Sequence, residues 1–293
     1  MKISVQHESK EKAEQLLNMI NVEFSEQTDQ IKAITQINDK FGTSQGWFGS
    51  NENKEFHIDY QISLPKNITL KLINHYGNIF INHLEGPLDI NLKYGDLNIN
   101  KLTRGDEKPY NHIAIAYGKA IIDQCNWLNL NLAYSKATFQ TCRILIVMSK
   151  YSKISIDQSN TIAGESAYDH FTIKELNNFV ITGKYSEYKI NQVSKKIDID
   201  TKYSDVLVNT IPPNFESINV DNAYGKISLG IDPEACYELQ ANVKYANINY
   251  PEVGRVNRIT QGNETKVNGT VGNKKSDSKV TIKSAYGGVN LKK

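Results

Sequence analysis

Eleven tyrosines, each followed by a small or turn-compatible residue, mark out most of this chain: Tyr76, Tyr94, Tyr117, Tyr134, Tyr151, Tyr168, Tyr185, Tyr203, Tyr224, Tyr245 and Tyr286. A row of phenols could bind sugars, because aromatic faces pack on the apolar faces of pyranose rings. The competing role is architectural: a tyrosine can bury its ring beside a core and leave its hydroxyl wet at a corner. A residue present in every repeat more often builds the repeat than binds a ligand, so the structural role is the reading adopted. Just before the tyrosines runs a Lys/Ala column: Lys93, Ala116, Ala133, Lys150, Ala167, Lys184, Lys202, Ala223, Lys244 and Ala285. It makes a mildly basic stripe in which Lys150, Lys184 and Lys202 are the candidate binding residues. The stripe reads either as a solvated face or as a surface for anionic glycans.

Catalytic chemistry finds little to stand on. Asp89, Asp123, Asp157, Asp198, Asp200 and Asp205 are scattered, although Asp198 and Asp200 share a strand face as clustered acids would in a polysaccharide-cleaving site. The six histidines show no HxH or HxxxH spacing, and neither a nucleophile-elbow motif nor a phosphate-binding glycine loop occurs. No catalytic residue, cofactor or metal site is expected. Cys125 and Cys142 are expected as buried free thiols, with a bridge as the alternative, since parallel neighbours have side chains running alongside each other.

These residues need elements that repeat. Consecutive members of this tyrosine set from Tyr76 to Tyr245 are mostly 17 or 18 residues apart, and Tyr286 follows 41 residues later. A period of this length is the mark of a solenoid. Aligned on the tyrosine, the positions six and four before it and three and five after it are almost wholly apolar, as in Leu128, Leu130, Ala137 and Phe139. A further apolar column, eight after, contains Leu84, Leu102, Cys125 and Cys142. Period-two alternation on either side of the tyrosine reads as two short strands joined by a corner. Gly, Ser, Asp or Ala just after the tyrosine suits that corner, because Gly tolerates positive φ. One such unit cannot bury its apolar residues alone, and stacking like on like builds a continuous interior. The fold expected is an all-β, single-stranded, right-handed parallel β-helix of about eleven rungs at about 4.8 Å each.

The array occupies residues 65–293. Residues 1–64 read as a small α+β segment: a strand over 1–8, an amphipathic helix over 9–20 with Ser9 as N-cap, and strands over 21–24 and 30–36. Within the polar loop 38–54 the pair Trp47 and Phe48 is either a tuck-in anchor or an exposed binding tip. Residues 55–64 then alternate into the first rung. The stretch 251–277, rich in Asn, Gly, Lys and Thr, is expected to hold one degenerate rung. The final rung ends in Lys292-Lys293 without an obvious cap.

Charge and hydropathy bound the partners. With 34 basic and 32 acidic residues and no basic patch, nucleic acid is disfavoured. The longest clean apolar run, Ile144 to Met148, is too short to span a bilayer. The opening MKISVQHESKEK lacks the core and cleavage site of a signal peptide, so the chain is expected to be cytosolic or a piece of a longer exported precursor.

The stretch LPKNITLKLINHYGNIFINHLEGPLDINLKYGDLNI resembles the bacterial adhesin-like β-strand repeat family, and ISVQHESKEKAEQLLNMINVEF resembles the segment that precedes the repeats in that group. The resemblance implies a cell-envelope or exported protein, periplasmic, outer-membrane-associated or extracellular, with an adhesin-like or scaffold role and no catalytic residues to carry over. Its implied partner is a surface glycan or an envelope protein. The alternatives are a cytosolic β-helix that polymerises end to end and, more distantly, a carbohydrate-active β-helix enzyme.

Overall fold

In a computed structural model of the chain, the structure describes residues 1–7, 9–38 and 55–292. Trp47 and Phe48 lie outside the described residues. The chain divides into two units, Met1–Leu64 and Pro65–Lys293.

Among its described residues the first unit contains two antiparallel strand pairs and one helix. Lys2–Gln6 pairs with Glu55–Asp59, setting Ile3 opposite Ile58 and Val5 opposite Phe56. The helix spans Lys10–Leu17, shorter than expected, with Ser9 as its N-cap. The hairpin strands Ile20–Gln27 and Gln30–Ile37 are longer than their apolar cores suggest, because backbone pairing continues through the polar residues beside the turn.

The second unit is a parallel β-solenoid. Its register places like on like. Leu128 lies opposite Leu145, which lies opposite Ile162, then Phe179, Ile197 and Ile218. All six are buried. The columns three and five after the tyrosine behave the same way, through Ala120, Ala137, Ile154 and Phe171 and through Ile122, Phe139, Ile156 and Ile173. Pairing skips Asp123 and Asn126 opposite Gln140 and Arg143, so each turn bends twice besides its corner at the tyrosine. Stacked this way, inward side chains form one continuous apolar column, a rung's only route to burial.

The array has about nine turns rather than eleven. The eleventh tyrosine, Tyr286, does not extend the column beyond Tyr245 but stacks between Tyr224 and Tyr245. Strand Lys279–Ala285 inserts between Ser217–Ala223 and Tyr237–Lys244, parallel to both. The last rung in the chain is therefore an interior one in space.

The expected degenerate rung is instead an antiparallel hairpin. Gly254–Gln261 pairs with Glu264–Val271, and the latter pairs antiparallel with Tyr237–Lys244. Gly262, at φ 56°, opens the two-residue loop, where positive φ matches the twist of a hairpin. The outer edge of Tyr237–Lys244, at the C-terminal end of the parallel ladder, is thus covered by chain running against it, a partial cap that the sequence did not reveal.

A tyrosine stack and the trough beside it as candidate functional site

Each tyrosine of the column sits in the left-handed region, with φ between 52° and 60°. Strand parity alone would aim position zero inward, like the residues two, four and six before it. The left-handed turn swings the side chain out instead. Of the eleven, Tyr76 is 77% exposed and the others 42–56%. The positive φ thus belongs to the tyrosine and not, as the sequence suggested, to the residue after it. That next residue is small because the rungs approach closely there. A Cβ at Gly95 would lie 2.0 Å from the Gly77 carbonyl oxygen.

Where serine or aspartate takes the place of glycine, the side chain meets an amide of the neighbouring rung. The N–H of Ser135 donates to Ser152 Oγ at 3.2 Å, that of Ser152 to Asp169 Oδ1 at 2.7 Å, and that of Asp169 to Ser186 Oγ at 3.2 Å. Ser149 Oγ and the Ala167 N–H also donate to Asp169 Oδ2. Asp169 is fully buried, and desolvation raises its pKa above the ordinary aspartate value despite these bonds. Beside it the buried Tyr188, whose pKa burial also raises, shares a 2.8 Å hydrogen bond with Ser166. Glycine at 183 leaves room for that phenol: a Cβ there would lie 2.1 Å from Tyr188 Oη.

The tyrosine rings stack on one another. Centroids from Tyr76 through Tyr224 to Tyr286 and Tyr245 are 4.6–5.1 Å apart, with planes within 10° of parallel. Both faces of each interior ring are occupied by its neighbours. The geometry therefore does not offer the column as a sugar-stacking platform, since no interior ring has a free face for a pyranose.

Beside the stack runs an open trough of about 870 Å³. Its lining includes the residues one and three before the tyrosine on seven successive rungs, from Asn91 and Lys93 to Asp200 and Lys202. Lys150, Lys184 and Lys202, 34 and 18 residues apart in the chain, are brought onto this one surface together with Lys93. Among the described residues none of these four lysines forms an ion pair, whereas Lys174 and Lys189 pair with carboxylates at 2.8 and 2.7 Å. Ala114, Ala116, Ala133 and Ala167 keep the floor low, and Glu165 and Asp200 are the acids present. Asp198 is drawn into an ion pair with Lys196 at 3.1 Å.

Cys125 and Cys142 face each other in register, as the column requires, but they are joined as a disulfide, which corrects the expectation of free thiols. Their Cα atoms are 4.7 Å apart, inside the range a bridge spans, so the direct ladder neighbours come close enough to bond. Cys236 is free and partly exposed.

One polar constellation escaped the sequence reading. His112 Nδ1 lies 3.0 Å from Asp89 Oδ1, and its Nε2 lies 3.2 Å from Asn131 Nδ2, joining three adjacent rungs on the outer surface. Their separations of 23 and 19 residues become neighbours only once the register is known. Among the described residues no group of three or more His, Cys, Asp or Glu is placed to hold a metal ion. No helix of the described residues is long and apolar enough to cross a membrane. Compared with known proteins, the chain matches no family model, no curated protein and no solved structure.

Proposed function

We propose that this chain is an exported, non-enzymatic binding or scaffold protein of the cell envelope, an adhesin-like solenoid that receives an extended, negatively charged surface glycan along its trough. The trough carries this reading. Seven rungs at about 4.8 Å give it a length of about 29 Å, suited to a polymer more than to a compact small molecule. Its four unpaired lysines outnumber its two acids, so an anionic partner is favoured. Export draws support from the Cys125–Cys142 bridge, since disulfides persist mainly in oxidising compartments. The resemblance of residues 64–99 to adhesin-like repeats points the same way.

The test is a glycan array probed with the purified chain and with the Lys150→Glu, Lys184→Glu double variant. The expected outcome is salt-sensitive retention of acidic glycans that the variant loses. Retention of none, or equal retention by the variant, overturns the reading. The alternative of an end-to-end polymer has one observation against it: the hairpin Gly254–Val271 covers the Tyr237–Lys244 edge at the C-terminal end of the parallel ladder, and it carries the charged residues Arg255 and Arg258. Charge on an outer strand discourages further pairing.

A further inference from the structure

The stack has a property independent of anything bound in the trough. Ten consecutive ring pairs run unbroken from Tyr76 to Tyr245, each with centroids 4.6–5.1 Å apart. The repeat makes the rings near-equivalent. All share one backbone conformation, and from Tyr94 to Tyr245 all are close to half exposed. Each interior ring lies between two like rings. Equivalent sites have nearly equal oxidation free energies, so a charge passing between neighbours meets no deep trap. Face-to-face overlap supplies electronic coupling, and exposure lets water take up the phenolic proton. The series is continuous only because Tyr286 fills the place between Tyr224 and Tyr245.

We propose that the tyrosine stack is a one-electron relay, which carries an oxidising equivalent along the solenoid from a one-electron oxidant in solution, such as a photo-excited metal complex or a peroxidase-type oxidant. In the first step one tyrosine gives an electron to the oxidant and its O–H proton to water, leaving a neutral phenoxyl radical. In each later step the next tyrosine gives one electron to that radical and its own O–H proton to water, while the first ring regains a proton from water. One O–H bond breaks ahead as one re-forms behind, so the vacancy moves by one ring and nothing else changes. Over ten spacings of about 4.8 Å the vacancy travels on the order of 50 Å.

The experiment uses the full chain with a ruthenium photo-oxidant on His75→Cys, next to Tyr76, in a Cys236→Ser background that leaves the Cys125–Cys142 bridge intact. The labelled chain is irradiated with a sacrificial electron acceptor and a nitroso radical trap, and adducts are mapped by mass spectrometry. Isotopically heavy, unlabelled chains are mixed in to report transfer between molecules. Adducts are expected along the column as far as Tyr286 and Tyr245, on the labelled chain only. Tyr151→Phe keeps a ring in the stack but removes the oxidisable phenol, and its fold is checked by melting. It should cause loss of adducts on the rings beyond it, Tyr168 to Tyr245. Adducts confined to Tyr76 and Tyr94, an unchanged distribution in Tyr151→Phe, or equal labelling of the heavy chains overturns the proposal.

Discussion

Tyr224 and Tyr286 are 62 residues apart in the chain, yet their rings stack with centroids 4.8 Å apart and planes 2° from parallel. Tyr245, the next tyrosine of the column in sequence after Tyr224, is not its neighbour in space. The returning strand Lys279–Ala285 bonds on both sides, which makes it the shared partner of two rungs laid down before it.

Ending the chain after Ser278 should therefore take one of two partners from both Ser217–Ala223 and Tyr237–Lys244, leaving them paired on their other sides with Lys196–Lys202 and Glu264–Val271. Hydrogen exchange checks this: protection in those two strands should fall while Lys136–Lys150, several rungs away, stays protected. Unchanged protection at both strands would mean that they close on each other.

Tyr151→Phe should change stability by about 1 kcal/mol or less, because the ring contacts stay and at most one net hydrogen bond is lost. Tyr151→Ala gives up two stacked ring pairs, worth about 0.5–1.5 kcal/mol each, and keeps the unfavourable left-handed backbone. A loss of about 1–3 kcal/mol is expected in denaturant melts. Equal effects of the two substitutions would argue that the hydroxyl matters more than the stack.

Asp169 should make stability fall as pH rises. Its folded pKa lies above the ordinary value, so between the two the folded state holds the proton that the unfolded state has released. Its contribution is fully present below the ordinary aspartate pKa and is lost as pH climbs through the raised, folded value. Asp169→Ser restores the residue found at Ser135, Ser152, Ser186 and Ser204 and removes this component. Melting temperatures across that pH window should show a flatter profile for the variant than for the parent.

The cysteines should react as one thiol and one bridge. Native alkylation is expected at Cys236 alone, and the intact mass should rise by two hydrogens on reduction. For a loop of this length, loss of the bridge should cost about 3 kcal/mol at most, since the parallel ladder still holds both residues in place. Alkylation of Cys125 in the untreated native chain would contradict the pairing.

Much of the rung was legible in the residues. Leu128, Leu130, Ala137 and Phe139 recur as apolar equivalents at the same offsets, and a parallel ladder in register must set equivalents side by side. The column two before the tyrosine was missed because its composition is mixed: Leu92, Ile115 and Leu132 give way to Ser149, Ser166, Thr201 and Asn222, all buried. Those polar residues tolerate burial through bonds such as Ser149 to Asp169 and Thr201 to Asn222, at 2.6 and 3.0 Å. Such partners lie about 20 residues away and carry no local signal. The hairpin did leave a trace, Gly262-Asn263 between two alternating runs, a pattern that marks a two-residue turn. The Asn- and Gly-rich character of the segment masked it.

The amino-acid sequence by itself determined the apolar columns six and four before the tyrosine and three and five after it, because those inward positions are under the same apolar demand in nearly every repeat. It did not determine which way the tyrosines point. A left-handed φ reverses the parity that alternation implies, and backbone angle is not a periodic property of residue type. Nor did it determine the order of the rungs. Ser217–Ala223 presents the same hydrogen-bonding edge to any rung of matching register, so the sequence permits either Tyr237–Lys244 or Lys279–Ala285 beside it. Only the folded chain, where the hairpin Gly254–Val271 reverses direction and brings residues 279–291 back, decides between them.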